Sequence, residues 1–459
     1  MKHANANAGK PAAGARRSPF ALLSDLYLAL LVTLFVLWPG GEGYAAIRET
    51  KTRCFYWLAG GYLAALAVLY GEMRLTGQLS RLKPGKLLQK SSWPQRLVAV
   101  YGLLAALSTA LSPYRAQALL GMSRGEGLVT IVLYCLTFLC LSALARPGEW
   151  LAWLLAGSMT VLDGICLLQL RGGNPLGLFP QGLTFFDGGW KYSGLFLGTC
   201  GNAGLTTAVL CLSFPLLLHL AWQGKRFFRL LALIPAGMNL AVVLQSTVQG
   251  AQVGLALGLL LSLPVLAGEG RRRRLARVLV VAVLAGALCL VLFAPGESGL
   301  PYQLNQLLHG NFDPQFGNGR VFIWQEVLSR VPEDLWLGKG PDTMAAFGLE
   351  PMQWSPAEGQ TVTLHIDIAH NDYLNILFHQ GLPALAVYLA ALVLTAARWR
   401  KTRRPQTAFL GAGVLCYCIQ VFFGYGMSAA AALFWAAWAL LEKEIREQEE
   451  TSCENGKSC

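Results

Sequence analysis

The segment TLHIDIAHNDYLNILF (residues 363–378) places ionisable side chains directly before an apolar run. His370 is the first candidate for chemistry, because an imidazole that is neutral near pH 7 can accept a proton as a general base. Asn371 is expected to cap the helix that follows, and the positive end of that helix favours the neutral imidazole. His365 and Asp367 could orient His370 or contact a polar substrate. The alternative is an interfacial histidine that only hydrogen-bonds to the helix start.

Arg320 begins a second segment of interest, GRVFIWQEVLSRV (residues 319–331). Its apolar positions fall at the spacing of one helical face: Val321, Trp324, Leu328 and Val331. An arginine at a helix N-terminus opposes the helix macrodipole, so its presence needs another reason. A guanidinium fork matches phosphate oxygens, which makes diphosphate binding one such reason. The alternative is an arginine that snorkels to the headgroup level.

Two more predicted loops carry cations. LLGMSRGEGLVTI (residues 119–131) contains Arg124 and Glu126, and GGWKYSGLFLGTCGN (residues 188–202) contains Lys191 and Tyr192. Arg124 and Glu126 could instead form an exposed pair of little consequence. Three cations on separate loops, together with a histidine, favour an anionic lipid-linked substrate over an ion-channel function.

The composition is that of a polytopic membrane protein. The chain has 459 residues, of which 54% are hydrophobic and 14% are charged, whereas a globular domain carries about 25% charged residues. The net charge of +12 comes from short basic clusters between apolar runs, as in cytoplasmic loops, so we expect no nucleic-acid partner. No cysteine and histidine spacing typical of a metal site is present, and we expect neither a metal nor another cofactor.

Apolar runs of roughly 20 residues recur along the chain, as a bilayer of about 30 Å requires. They predict twelve membrane-spanning helices, at residues 20–38, 54–70, 97–111, 128–145, 150–170, 195–222, 230–246, 250–267, 275–293, 373–397, 407–425 and 427–441. With the N-terminus inside, 27 of the 37 Lys and Arg residues lie on the inner side, which is the usual charge bias.

The predicted organisation follows from these spans. Residues 1–19 form a basic cytoplasmic tail, 20–293 carry nine spans, 294–372 form a large extracytoplasmic loop, 373–441 carry three more spans, and 442–459 form a cytoplasmic tail. This arrangement places the protein in the cytoplasmic membrane with both termini in the cytoplasm. Since His370 then lies at the outer end of span 10, the candidate site is extracytoplasmic.

Several motifs resemble those of the O-antigen ligase / O-antigen polymerase superfamily. The resemblance is carried by GRVFIWQEV, LGKGPDTM and DIAHNDYLNILFHQGLPAL in the loop, by LGMSRGEGLVTIVLYC upstream, and more weakly by LFLGTCGNAGL. It implies an all-α, GT-C-like glycosyltransferase fold that uses no metal. Where many members have a Ser-Arg-Gly-like element after span 7, this chain has STVQGAQ, with Gln249 instead of arginine. Lys191 could compensate.

The resemblance also implies a reaction, in which a glycan passes from a polyprenyl-diphosphate carrier to a glycan, lipid or protein acceptor at the outer face of the membrane. Arg320 and Arg124 would hold the diphosphate, and His370 would be the base or would position the acceptor. Trp324 and Asn371 belong to the same motifs and are included as binding residues. The alternative is a transporter or flippase of lipid-linked glycans, which predicts polar groups at the bilayer midplane. Asp163 is one such group in the middle of a span.

Overall fold

The computed structural model describes residues 17–41, 43, 46–77, 91–178, 196–350, 352–355, 360–363 and 365–454. Fifteen α-helices lie within these residues. They are α1 (Pro19–Leu30), α2 (Ile47–Leu75), α3 (Trp93–Leu111), α4 (Arg115–Leu120), α5 (Leu128–Leu144), α6 (Glu149–Leu170), α7 (Ala203–Gln223), α8 (Arg226–Gln245), α9 (Gln249–Leu266), α10 (Arg271–Phe293), α11 (Gly299–Leu308), α12 (Arg320–Arg330), α13 (Asp372–Trp399), α14 (Pro405–Gln420) and α15 (Ser428–Glu454). A π-helical turn, Leu31–Phe35, continues α1.

Each of the twelve predicted spans overlaps one of these helices. Eight helices are long and apolar enough to cross a membrane on their own, namely α2, α3, α6, α7, α8, α9, α10 and α13, and two shorter apolar helices are Pro19–Phe35 and Leu128–Leu144. The chain is therefore a helical, polytopic membrane protein. Helix α15 continues to Glu454, so the segment expected to form a tail after residue 441 begins as helix.

Glycines at a four-residue spacing allow two helices of the bundle to pack closely. Gly250, Gly254 and Gly258 lie along α9, and a Cβ added at Gly254 or Gly258 would come within 3.0 Å of backbone atoms in α14. Small residues at such positions are a common means of helix association in membranes, because they let backbones approach and gain van der Waals contact. The α9–α14 contact is among the most extensive in the bundle.

Helix α13 is broken at Gly381, whose φ is 82°, and Pro383 follows the break. The break admits the loop segment 335–340. Three backbone hydrogen bonds join them: Lys339 N to Phe378 O (3.0 Å), Gly340 N to His379 O (2.8 Å) and Leu382 N to Leu335 O (2.8 Å). Non-helical backbone is tolerated at membrane depth where protein surrounds it. Part of the motif LGKGPDTM thus enters the bundle.

The large loop is folded around its own small core. Alongside α11 and α12 it contains 3-10 turns at Val331–Asp334 and Met344–Phe347. It also has a two-stranded antiparallel hairpin, β1 (Met352–Ser355) paired with β2 (Gln360–Thr363), which adds to the expected all-helical architecture. The core is formed by Val327, Val331, Met344, Leu349, Ile366, Ala369 and Phe378. Because Phe378 belongs to α13, the loop is packed directly onto a spanning helix.

The predicted apolar face of α12 is displaced by one position. Val321 and Val331 are buried as expected, but Leu328 is 45% exposed and Val327 is buried instead. Helix α12 begins after Gly319, which is left-handed with φ 79° and provides no side-chain cap. The buried stripe that contacts the loop core is Ile323, Val327 and Val331, at a four-residue spacing.

Candidate functional site

Several helix ends that carry candidate residues meet at one end of the bundle. Thr52 in α2 hydrogen-bonds to Ser428 at the start of α15 (Oγ1 to Oγ, 3.0 Å). The backbone N–H of Gly426, just before α15, donates to Asp372 at the start of α13 (3.0 Å). A Cβ added at Gly201, before α7, would meet the side chain of Ile47 at 2.7 Å. These contacts bring together loops that lie far apart in the sequence.

Asp342 holds the loop that carries Arg124. Its Oδ2 accepts the backbone N–H groups of Ser123 (3.2 Å), Arg124 (2.8 Å) and Glu126 (3.3 Å), and its Oδ1 accepts the Ser123 hydroxyl (3.0 Å). The Asp342 backbone is left-handed, with φ 53°. Strained backbone of this kind persists where surrounding contacts over-determine it. Sequence reasoning passed over Asp342, since the contact crosses more than 200 residues and leaves no local signal.

Arg124 lies between a carboxylate and an aromatic ring. Its Nη2 donates to Asp367 Oδ1 at 2.7 Å, and its guanidinium carbon lies 5.4 Å from the centroid of the Tyr425 ring. Its Nε is buried and has no hydrogen-bond partner among the residues that the structure describes. Arg124 is thus fixed in place with donors still unused.

Glu126 does not pair with Arg124. Its carboxylate accepts the backbone N–H of Ser428 (2.6 Å) and the hydroxyl of Tyr134 (3.1 Å). Burial raises the pKa of Glu126 well above its usual value, although the Ser428 hydrogen bond opposes this. A carboxylate at a helix N-terminus interacts favourably with the macrodipole. Glu126 therefore anchors the start of α15, and its contact with substrate stays a prediction.

Arg320 is a partly buried cation without a carboxylate partner in the described part of the chain. Its Nη1 donates to the Gly317 carbonyl at 2.8 Å, and its Nε is buried without a partner. Burial lowers the pKa of Arg320. Since removing a charge from water without pairing it is costly, an anion that bound here would stabilise the side chain.

The backbone at His370 is held from both sides in the left-handed region, with φ 49°. The Trp324 indole N–H donates to the Ala369 carbonyl (3.0 Å), and the Ala369 N–H donates to Asn375 Oδ1 (2.9 Å). On the other side, Asn371 caps α13 by accepting the N–H groups of the second and third residues that follow it (3.0 and 3.1 Å), which confirms the predicted cap. Trp324 and Asn371, both predicted to bind substrate, thus hold the backbone on either side of His370.

The surroundings of His370 lower the pKa of its imidazole to about 4. Burial is the largest cause, the positive charges of Arg320 and Arg124 add to it, and Asp367 opposes it. The ring meets Tyr425 edge to face, with centroids 5.4 Å apart, and it makes no hydrogen bond to any described residue. His370 is neutral at pH 7 and is influenced by both candidate arginines.

The remaining candidates lie elsewhere. His365 is exposed and contacts Glu350 (3.0 Å). Lys191 and Tyr192 lie outside the described residues. His379, which also precedes the break in α13, is buried, and its Nδ1 lies 2.9 Å from the Gly340 carbonyl oxygen. Asp163 is buried in α6, and neither of its carboxylate oxygens has a described partner.

No metal-binding cluster is found in the part of the chain that the structure covers, where three or more His, Cys, Asp or Glu side chains would have to converge. The positive charge at the site is instead supplied by guanidinium groups. Arg124, Arg320, His370 and Asp367 are the predicted residues that the fold brings together, and Tyr425 joins them as a residue that sequence reasoning missed.

Fold and site together define a polytopic helical membrane protein with a cationic, histidine-containing site where loops meet at one end of the bundle. Residues 238–389 match the family model described as O-antigen ligase, which confirms the superfamily resemblance of the loop motifs. The matched region includes α12, the loop core and His370. It supports glycan transfer of the O-antigen ligase type by a membrane enzyme. A search of curated proteins finds no match.

Proposed function

We propose that this protein transfers a glycan from a polyprenyl-diphosphate carrier to an acceptor hydroxyl at the outer face of the cytoplasmic membrane, within a GT-C-like architecture. One observation carries the proposal: the neutral imidazole of His370 lies within the electrostatic influence of two guanidinium groups, Arg320 and Arg124. Arg320 has no described carboxylate partner. A neutral base beside two guanidinium groups, of which Arg320 has no described carboxylate partner, suits an acceptor that must lose a proton and a donor that leaves as an anion.

The proposed reaction is a single displacement at the anomeric carbon. The acceptor oxygen forms the new bond to that carbon while the bond to the diphosphate oxygen breaks. The acceptor proton passes to a ring nitrogen of His370, and the electron pair of the broken bond remains on the diphosphate. Arg320 and Arg124 stabilise the developing negative charge, as fixed charges placed before the reaction do. A single displacement inverts the anomeric configuration.

Donor binding itself would prepare the base. The positive charges of Arg320 and Arg124 lower the pKa of His370 in the free protein. A diphosphate bound to these arginines neutralises their charge and adds negative charge nearby, which favours protonated imidazole. The pKa of His370 therefore rises in the donor complex, so that the imidazole accepts a proton more readily when an acceptor is to be deprotonated.

A reconstituted transfer assay tests this function. Purified protein is mixed with a polyprenyl-diphosphate-linked glycan and candidate glycan, lipid or protein acceptors, and the glycosylated product is measured. The wild type and His365→Ala should form product, since the His365 side chain is exposed and contacts only Glu350 among the described residues, whereas His370→Ala should not. If the protein instead moves the intact lipid-linked glycan across a vesicle membrane with no product, the transporter alternative replaces this proposal.

A further inference from the structure

One pocket is lined by Arg124 but not by Arg320 or His370. It encloses about 250 Å³ and is lined by Arg48, Arg124, Asn202 and Tyr425, together with the backbone around Cys200 and Gly201. The loop before α7 forms one wall, since Asn202 caps that helix by accepting the N–H groups of Gly204 (2.7 Å) and Leu205 (3.3 Å). The pocket contains two guanidinium groups, and none of the described residues that line it is acidic.

The pocket differs in its charged residues from a separate cavity that Arg124 also lines. That cavity, of about 80 Å³, is lined by four acidic side chains, Glu126, Asp342, Asp367 and Asp372, of which Glu126 has a raised pKa. Arg124 lines both the pocket and the acidic cavity. Its ion pair with Asp367, which lines the acidic cavity, offsets its positive charge there. Of these two spaces, only the pocket of about 250 Å³ is lined by a further arginine, Arg48. The pocket that contains Arg48 therefore favours an anion, and the cavity lined by acidic side chains disfavours it.

Arg48 has no structural role among the described contacts. It lies in the first turn of α2, where a positive charge opposes the macrodipole. Lys51 lies in the same part of the helix and has an evident partner, because its ammonium group donates to the Val36 carbonyl at 3.0 Å. Glu49 pairs with Arg53, which leaves Arg48 exposed with no described carboxylate partner.

We propose that Arg48 and Arg124 form a subsite for a phosphate group, next to the site of Arg320 and His370. The proposal rests on the proposed function, and it adds Arg48 as a binding residue. A guanidinium fork binds phosphate in a bidentate manner. Tyr425 connects the two sites, because its ring contacts both Arg124 and His370. The phosphate belongs either to the diphosphate of the donor or to a phosphorylated acceptor, and binding measurements distinguish the two sources.

The test compares Arg48→Gln with a matched control, Arg53→Gln, in the full-length protein. Arg53 is an exposed arginine on the same helix that pairs with Glu49 and lies outside the pocket. Affinity is measured for polyprenyl diphosphate, and for inorganic phosphate with and without saturating polyprenyl diphosphate. If the donor fills the subsite, Arg48→Gln weakens polyprenyl diphosphate binding about tenfold, the scale of one charge-assisted hydrogen bond. Polyprenyl diphosphate then also displaces inorganic phosphate.

If the phosphate comes from an acceptor, inorganic phosphate binds alongside the lipid diphosphate, and Arg48→Gln weakens only the inorganic phosphate. Arg48→Lys should partly restore either affinity, because it keeps the charge without the fork. The proposal is overturned if Arg48→Gln matches Arg53→Gln and the wild type with both probes. That result leaves the proposed function standing as long as His370→Ala still abolishes transfer, so the two failures are distinguishable.

Discussion

Arg320 and His370 differ in what surrounds them, and that difference predicts separable roles. Arg320 is a cation without a described carboxylate partner, whereas the imidazole of His370 makes no described hydrogen bond and is neutral at pH 7. Arg320→Lys keeps a charge but loses the bidentate fork, so it should weaken both donor binding and turnover. His370→Ala should cut turnover by about 10²–10⁴-fold, the usual scale for a lost general base, with donor binding nearly unchanged.

Binding of a polyprenyl-diphosphate analogue and single-turnover rates separate these effects. Arg330→Lys is the matched control for Arg320, because Arg330 is exposed at the other end of α12 and contacts Glu333. The roles are wrong if His370→Ala abolishes donor binding while Arg320→Lys leaves it untouched. If both variants keep full activity, an interfacial histidine and a snorkelling arginine are the better description.

The pH dependence of the reaction should report the environment of His370. A base must be unprotonated, and the pKa of His370 in the free protein is lowered to about 4. The value of kcat/KM, which reflects the free enzyme, should therefore stay constant above roughly pH 5 and fall as the pH drops through about 4. Because donor binding raises the pKa of His370, kcat should begin to fall at a higher pH than kcat/KM.

Removing a nearby cation should shift this profile in a known direction. Arg320 lowers the pKa of His370, so Arg320→Gln should move the fall in kcat/KM to higher pH as well as reduce its plateau. Arg330→Gln should leave the profile in place. Coincident acid limbs for kcat and kcat/KM in the wild type would contradict a base whose pKa responds to the donor.

At the residue scale, sequence reasoning found side chains whose type already implies a task. His370, Arg320 and Arg124 fall in this class, because an imidazole or guanidinium beside an apolar run demands an explanation. Glu126 was predicted to bind substrate, with an exposed pair with Arg124 as the alternative, and its carboxylate contacts Ser428, some 300 residues away. The sequence contains no signal for such a long-range contact, and the same holds for Arg48.

Among the elements, the break in α13 is the feature on which the loop depends. A Cβ added at Gly381 would lie 2.4 Å from the Trp336 carbonyl oxygen, and its φ of 82° is unfavourable for other residues. Gly381→Ala should therefore destabilise the protein by roughly 1–3 kcal/mol, the scale of a strained backbone position. It should also impair transfer, because the displaced segment 335–340 leads directly to Asp342, which holds the Arg124 loop.

Thermal unfolding of the purified protein in detergent measures the effect. The control is Gly286→Ala in α10, where an added Cβ meets nothing within 4 Å and alanine favours helix by about 0.5–1 kcal/mol. An equal Tm for the two variants would show that the break tolerates a side chain and that the loop is not fixed there.

Helix existence was predictable because apolar runs of bilayer length are long, repeated signals. Structural details that depend on contacts with another segment could not be predicted from the sequence. The apolar run from 373 to 397 predicts one span. Gly381 and Pro383 indicate a bend in that span, but they do not show that residues 335–340 fill it. Helix α12 offers two apolar stripes, and periodicity alone does not say which one faces the loop core. The buried stripe became evident only with Val327 in contact with that core.

In the whole molecule, basic side chains collect at the end opposite the site. Arg17 pairs with Asp25 near the start of α1 (3.1 Å), Arg403 pairs with Glu269 (2.7 Å), and Arg446 near the end of α15 contacts the Ser142 carbonyl (3.2 Å). These contacts join helix ends that all lie away from His370. The fold thus places these contacts at helix ends away from the site, and the charge count predicts that this end faces the cytoplasm.

This separation makes the orientation testable with single cysteines in intact cells. Ser329 is exposed on α12 at the site end, and Arg272 is exposed at the start of α10 at the basic end. Positively charged loops are retained in the cytoplasm, so a membrane-impermeant thiol reagent should label Ser329→Cys but not Arg272→Cys above the background of the parent protein. Permeabilised cells provide the control, since both positions should then react. Labelling of Arg272→Cys in intact cells, with Ser329→Cys protected, would place His370 and both arginines on the cytoplasmic side, where an acceptor at the outer face could not reach them.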